Sequence, residues 1–305
     1  MSTRYDARPR GLRHELILTP ASQELLDRLE QDCETPQTKQ FFQKTLKHWK
    51  LHNLMNYIQI DADSCPELFA IFLNAKKLLA KVCEAELTDK ALTREFQDSE
   101  LWLKRDTTAS ASSMALPGTP ASVVLSHEMV NLVMQGKWDD EDHKAQLTGV
   151  ILHELTHILY KHCQYITSMN RLLALTQDGS EMGEFEVQQL TAVWRIVQTG
   201  FELTADRGLY TALKKDLTEI PKPIKDLFTK LAGGIIGVPL NSQAFFEQIQ
   251  RVGRDAVARI ETIVMMSDAH PPLAARLLEL ELHRQRLLAQ EDMSQAIVVE
   301  SYPSF

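Results

Sequence analysis

The segment from Ile151 to His162, ILHELTHILYKH, contains side chains whose types and spacing suit metal chemistry. His153 and His157 are four residues apart, so on a helix both imidazoles face the same side and can bind one ion. Glu154 is offset by about 100° around the helix axis, which lets its carboxylate reach a water on that ion without ligating it. The HExxH spacing is typical of zinc hydrolases, in which the glutamate is the general base.

A chance origin of this motif is the alternative, since HExxH arises without function in roughly a few per cent of chains of this length. Two features of the surrounding sequence favour a functional metal helix. The acidic run 139–142, DDED, supplies an N-cap and an acidic first turn, so the helix has a defined start. The flanking residues are apolar, as a buried helix requires. These flanking residues are Val150, Ile151, Leu152, Leu155, Ile158 and Leu159.

A catalytic zinc site needs a third protein ligand and one open position. A metzincin would place a histidine six residues after His157 and a glycine three residues after it, but these positions are Cys163 and Tyr160. His162 would face away from the site on a continuous helix, so we expect it to pack or to form a hydrogen bond. The preferred third ligand is Glu202.

Glu202 and Asp206 lie four residues apart in the segment ELTADR, on one face of a predicted helix. Glu202 can ligate the metal while Asp206 accepts the distal N–H of a ligand histidine, which fixes the tautomer of that histidine. A solvated acidic helix face is the alternative interpretation. The apolar neighbours Phe201, Leu203 and Ala205 weigh against it.

The bulk composition is that of an ordinary globular protein, with 305 residues of which 44% are hydrophobic and 24% charged. A net charge of −8 argues against a nucleic-acid partner and against an anionic membrane surface. We find no apolar run long enough to span a bilayer and no signal peptide. Four well-separated cysteines are predicted to be free thiols, so we expect a cytoplasmic protein. They are Cys33, Cys65, Cys83 and Cys163.

The pattern of apolar residues along the chain predicts an N-terminal helical region, residues 1–95, that packs on the catalytic domain. Its amphipathic runs cover about residues 20–33, 38–54 and 66–82. Residues 96–290 form the predicted catalytic domain, and residues 291–305 a C-terminal tail. Short β-like runs at 101–103 and 123–126 predict a small sheet before the metal helix, with Ser126 capping a helix from His127.

Downstream of the metal helix, residues 167–184 are predicted to be looser. Further helices are predicted over about 185–210, 227–232 and 242–264, and a last one over 273–289, after His270-Pro271-Pro272. The run ending at Pro117 suits an edge strand, which could pair with an extended peptide by β-augmentation. A plain structural turn is the open alternative.

Taken together, HELTHILYKH, ELTADRG and HPPLAAR resemble the gluzincin metallopeptidases of the CAAX prenyl protease and HtpX-like family, in particular its soluble members. The resemblance covers roughly residues 100–280. It implies zinc ligands at His153, His157 and Glu202, with Glu154 as the general base. It also implies that Asp206 supports a ligand and that His270 and Arg276 stabilise the oxyanion.

The family's substrate-binding edge strand corresponds to Ser112, Ser113, Met114, Ala115 and Leu116, where two serines replace the usual Asn-Ala pair. The resemblance therefore implies a mainly α, α+β gluzincin core with a small β-sheet beside the HExxH helix and an N-terminal helical region. It implies one Zn²⁺ per chain and a peptide or unfolded protein as substrate. We expect a zinc metalloendopeptidase. The rival hypothesis is an inactive zinc-containing scaffold or interaction module that no longer cleaves anything. A latent enzyme, with the cleft covered by the C-terminal tail or the N-terminal segment, is a third possibility.

Overall fold

The computed structural model describes residues 13–86, 94–118, 120–177, 184–234, 238–252 and 270–300. Helices dominate this part of the chain and surround one four-stranded sheet. The strands are β1 (Ile58–Ile60), β2 (Glu100–Lys104), β3 (Ala111–Met114) and β4 (Ser122–Ser126). The helices are α1 (Pro20–Glu34), α2 (Pro36–Asn56), α3 (Pro66–Glu86), α4 (Arg94–Gln97), α5 (His127–Met134), α6 (Glu141–Leu159), α7 (His162–Gln177), α8 (Glu184–Leu213), α9 (Lys222–Gly233), α10 (Ser242–Val252) and α11 (Leu273–Glu300).

The sheet has the strand order β1-β2-β4-β3, so β3 is an edge strand, as predicted. β4 pairs in parallel with β2 and antiparallel with β3, and all five of its residues are buried. Ser126 ends β4 and caps α5, its side chain accepting a hydrogen bond from the amide of Met129. Because both β3 and β4 contact α6, the predicted mainly α architecture with a small sheet beside the HExxH helix is confirmed.

Helix α6 carries the HExxH motif and begins where the sequence predicts. The Asp140 carboxylate caps it by accepting hydrogen bonds from the amides of Asp142 and His143, at 2.9 and 3.1 Å. Every residue from 146 to 159 is buried, so the second half of the helix lies in the core. The prediction of one helix through His162 is wrong. Lys161 has a φ of 56°, in the left-handed region, and this residue separates α6 from α7.

Three other predictions are corrected by the structure. Residues 167–177 are helical as part of α7, because its apolar residues pack into the core despite several polar neighbours; residues 178–183 lie outside the described part. Within the region predicted as helical, 58–60 form β1, which pairs with β2. The last helix runs to Glu300 and not only to about residue 289. Of the predicted helix at 242–264, α10 is described and residues 253–269 are not.

The segment that precedes α1 is held against α8 and α11 by buried polar contacts. The Arg207 guanidinium, on α8, donates to the carbonyl of Arg13 at 2.6 Å and to Glu15 Oε2 at 2.7 Å. His14 Nε2 lies 3.1 Å from a carboxylate oxygen of Glu279, on α11. The division into an N-terminal region, a catalytic domain and a tail stays a prediction.

All four cysteines are free, as predicted. Among the helices of the described residues, none combines the length and the apolar character needed to cross a membrane.

The packing of α6 against α8 depends on Gly208. A Cβ atom at this position would lie only 2.2 Å from Thr156 Oγ1 and 2.8 Å from Thr156 Cγ2. The Thr156 hydroxyl cannot turn away freely, because it donates to the carbonyl of Leu152 at 2.7 Å. The two helices therefore approach each other as closely as a glycine allows.

We predict that Gly208→Ala destabilises the protein by about 1–3 kcal/mol, because the added methyl group overpacks the contact between α6 and α8. Chemical denaturation monitored by circular dichroism measures this change. Adding Thr156→Ala removes the two closest atoms and should recover part of the loss. Gly233→Ala is the matched control, since a Cβ there meets nothing within 4 Å. Equal stability of Gly208→Ala and wild type would contradict the close approach.

Candidate metal centre

Helices α6 and α8 bring His153, His157 and Glu202 together, with one ligand atom from each within 4.8 Å of the others. The Nε2 atoms of the two histidines are 3.1 Å apart. Oε2 of Glu202 lies 3.3 Å from Nε2 of His153, and Oε1 of Glu202 lies 3.5 Å from Nε2 of His157. All three residues are buried. Their ligand atoms therefore face a common point inside the protein.

The other ring nitrogen of each histidine already has a partner. Nδ1 of His153 lies 3.0 Å from Asp206 Oδ1, and since a carboxylate only accepts, the N–H of His153 donates to it. Nδ1 of His157 lies 2.9 Å from Nδ1 of His162. With these tautomers both Nε2 atoms keep their lone pairs for a metal ion.

The distances fit a tetrahedral ion. Two nitrogens that each lie about 2.0–2.1 Å from tetrahedral zinc are roughly 3.4 Å apart, close to the separations among the three ligand atoms. Oε2 of Glu202 is also buried, and among the described residues its nearest partners are imidazole nitrogens, His153 Nε2 at 3.3 Å and His270 Nδ1 at 3.0 Å, without a fully formed hydrogen bond. A metal ion would satisfy this oxygen. The residues present therefore fit a bound zinc ion.

The electrostatics of His157 and Glu202 also suit ligation, whereas His153 must first lose a proton. Burial lowers the pKa of His157 to about 3, so its ring is neutral near pH 7. Burial tends to raise the pKa of Glu202, but His153 and His270 outweigh it and hold that pKa well below its usual range. Burial tends to lower the pKa of His153, but Asp206 and Glu202 raise it to about 10. Metal binding must therefore displace a proton from His153.

Arg276, on α11, is bound to Asp206 through two parallel contacts. Its Nε donates to Oδ2 at 2.8 Å and its Nη2 donates to Oδ1 at 2.7 Å. This is the bidentate geometry that makes an Arg–carboxylate pair rigid. Burial tends to raise the pKa of Asp206, but Arg276 outweighs burial and lowers it. Asp206 thus stays ionised, with its orientation fixed as it accepts from His153.

Glu154 and His270 lie beside the three candidate ligands. Glu154 is buried, and burial raises the pKa of its carboxyl group. His270 lies three residues before the first residue of α11, is largely exposed, and has its Nδ1 atom 3.0 Å from Glu202 Oε2. The interaction with Glu202 raises the pKa of His270. The structure therefore brings all three residues for which catalytic roles were predicted close to the candidate ligands: Glu154, His270 and Arg276, whose Nη1 lies 3.6 Å from Glu202 Oε2.

The edge strand β3 packs against α6. The Ser126 amide donates to the carbonyl of Ser110 at 2.8 Å, so these two residues form a hydrogen-bonded pair of the antiparallel ladder. Hydrogen-bonded and non-hydrogen-bonded pairs alternate along such a ladder. Ser112 is therefore bonded to β4, and the backbone N–H and C=O of Ser113 point to the free edge. The Cys163 thiol lies 3.4 Å from the Ser113 carbonyl, which places that edge next to the start of α7. Of the predicted edge-strand residues, Ser112, Ser113 and Met114 lie in β3 near the metal helix, whereas Ala115 and Leu116 follow the end of the strand and are buried. The role of these residues in binding substrate stays a prediction.

His162 is the residue of this site whose importance the sequence did not indicate. It was predicted to be a packing or hydrogen-bonding residue, and the structure confirms that it hydrogen-bonds. Its partner, however, is the candidate ligand His157, because the left-handed Lys161 turns the chain back. The ring of His162 also stacks on Phe201, with centroids 3.9 Å apart. The Tyr160–Lys161 dipeptide carries no glycine or proline that would have signalled this turn.

The chain belongs to peptidase family M48, whose sequence model matches residues 100–283, more than half of its length. This match contains the candidate ligands from α6 and α8 as well as Arg276. Comparison with curated proteins and comparison with solved structures gave no match. Members of this family are metallopeptidases that generally use zinc, so membership supports a metallopeptidase acting on peptides or proteins.

We predict that His162→Phe lowers zinc affinity by roughly 10–100-fold, the usual cost of losing the hydrogen-bond partner of a ligand histidine. Phenylalanine can keep the stack on Phe201 but cannot accept from His157. Competition with a fluorescent zinc chelator measures the affinity. His127→Phe, a change at a partly exposed histidine at the start of α5, is the control. Unchanged affinity in His162→Phe would show that His157 does not need this partner.

Proposed function

We propose that this protein is a zinc-dependent peptidase of the gluzincin HExxH type, with one zinc ion per chain. Its ligands would be His153, His157 and Glu202, and its general base Glu154. The observation that carries the proposal is the convergence of two Nε2 atoms and one carboxylate, with both Nδ1 atoms already hydrogen-bonded. The order of the three motifs HELTHILYKH, ELTADRG and HPPLAAR also supports the resemblance to CAAX prenyl protease and HtpX-like enzymes.

When bound at such a site, zinc supplies Lewis acidity and lowers the pKa of a water to about 7. Glu154 would take the proton from the attacking water and later give it to the leaving amine. Its buried position supports this role, because burial favours the protonated carboxyl group that must exist between the two transfers. Asp206 would hold His153 in the ligating tautomer, and His162 would do the same for His157.

The contacts of Arg276 and His270 support different roles for these two residues. Arg276 uses its Nε and Nη2 groups on Asp206, so we propose that it mainly positions Asp206 and, through it, His153. His270 is largely exposed beside Glu202, where a substrate carbonyl oxygen could reach it. We therefore assign stabilisation of the oxyanion chiefly to His270.

The proposed substrate is a peptide or an unfolded protein that pairs with the free edge of β3 and lies along the segment that follows it, residues 112–116. An edge strand can pair with the middle of an extended chain, so we propose endopeptidase action. The four free cysteines support a cytoplasmic location, where thiols stay reduced.

The test of the proposed mechanism is Glu154→Gln. This variant should keep zinc but lose roughly 10²–10⁴-fold in kcat/KM, the usual contribution of a general acid–base group. Cleavage of a pool of unstructured peptides, followed by mass spectrometry, measures the activity. Glu141→Gln, at an exposed position on the same helix, is the control. Full activity of Glu154→Gln would refute the role of Glu154, and an inert but zinc-loaded wild type would favour the scaffold hypothesis.

A second prediction concerns the third ligand. Glu202→Gln should weaken zinc binding by more than the roughly 10–100-fold that loss of an outer hydrogen bond costs, because a neutral amide replaces a carboxylate. Metal analysis after dialysis against a mild chelator measures retention. Glu186→Gln, near the exposed start of α8, is the control. If Glu202→Gln retains one zinc per chain as the wild type does, Glu202 is not a ligand.

A further inference from the structure

Helix α2 has a charge balance opposite to that of the whole chain. It contains four lysines and neither aspartate nor glutamate, whereas the chain has a net charge of −8. Lys39 pairs with Glu34 at 2.8 Å. Lys44, Lys47 and Lys50 are exposed, and none of the described residues places a carboxylate within ion-pair distance of them. Within the part of the chain that the structure describes, this helix therefore presents a strip of positive charge without ion-pair partners.

Beside the lysines, α2 exposes apolar side chains. Leu51 is 56% exposed and Leu54 is 58% exposed. Both border a groove of about 430 Å³ whose opposite wall is the turn Pro117-Gly118. Lys47 and Lys50 also line this groove, which we call the α2 groove. It thus combines an apolar surface with a basic rim.

The α2 groove lies close to β3 along the chain, and Met114 of β3 packs against the Phe42, Leu46 and Leu116 cluster under the groove. β3 ends at Met114, only three residues before Pro117. Leu116, between them, packs against Phe42 and Leu46 on the buried face of α2. An extended chain advances about 3.3 Å per residue, so a peptide paired with β3 reaches the groove within three or four further residues. The same helix therefore supports the edge strand and forms the groove beyond it.

We propose that the α2 groove holds the part of the substrate polypeptide that extends beyond β3, and that it selects acidic and apolar side chains there. This inference rests on the proposed peptidase function. The apolar residues Leu51 and Leu54 favour aliphatic side chains, and the rim lysines favour carboxylates. The concave shape, closed on one side by Pro117-Gly118, favours an extended peptide over a flat lipid surface.

The first experiment measures binding without turnover. Fluorescent peptides share one central sequence and carry a four-residue flank, Asp-Leu-Asp-Leu or Lys-Leu-Lys-Leu, at either end. Anisotropy with zinc-loaded Glu154→Gln should show roughly tenfold tighter binding of the acidic flank at one end, as two partly exposed ion pairs allow. The preference should weaken as salt is raised.

The variants test whether the α2 groove causes this preference. The pair Lys47→Glu and Lys50→Glu, added to Glu154→Gln, should reverse the preference towards the lysine flank and leave binding of the unflanked peptide unchanged. Lys77→Glu with Lys81→Glu, at exposed positions on α3, makes the same change in net charge and should leave the preference intact. In proteins with an intact Glu154, kcat/KM should follow the same pattern.

Three outcomes would overturn the proposal. Equal affinity for both flanks shows no selection, and a preference that survives reversal of Lys47 and Lys50 places selection elsewhere. The third outcome is an absent flank preference together with an effect of the charge reversal on another partner. If the reversal abolishes binding to phosphatidylserine vesicles, the groove is a membrane site, and if it changes the oligomeric mass, the groove contacts a second copy. Flank-dependent binding with no cleavage by wild type refutes the peptidase function and supports the groove as a polypeptide site.

Discussion

The close approach of α6 and α8 is the constraint on which the candidate metal centre depends. The two histidines lie on α6, whereas Glu202 and Asp206 come from α8, so neither helix alone contains the site. The absence of a Cβ at Gly208 lets Thr156 lie against the backbone of α8. Thr156 lies between His153 and His157 in the sequence, and Gly208 lies two residues after Asp206. The contact between them therefore sets the distance from the two histidines on α6 to the carboxylates on α8.

The second requirement is a stable arrangement of charged groups in the core. An isolated buried carboxylate or guanidinium is strongly destabilising, and a buried pair is tolerated only when its remaining hydrogen-bonding groups are satisfied. Asp206 meets this condition by accepting from Arg276 and from His153. Glu202 does not, since its Oε2 has no fully formed hydrogen bond in the described structure. The cluster is thus locally incomplete at the point where the candidate ligands converge.

The sequence predicts those parts of the site that depend on local periodicity. The relative placement of His153, Glu154 and His157 follows from helix geometry, and the four-residue spacing of Glu202 and Asp206 follows in the same way. The contact between His157 and His162 could not be predicted, because it needs a left-handed residue at Lys161, where the sequence shows no glycine or asparagine. β1 was missed because three residues are too few to show an alternating pattern.

The distribution of the candidate ligands over two helices has a consequence for how the protein opens and closes. An ion held by His153, His157 and Glu202 would act as a cross-link between α6 and α8, joining residues 45 or more positions apart in the sequence. Separation of the two helices would then require loss of the Glu202 ligand. Metal exchange and local unfolding of α8 would therefore be a single cooperative event. The ion would then stabilise the packing of α6 against α8 in addition to any role in catalysis.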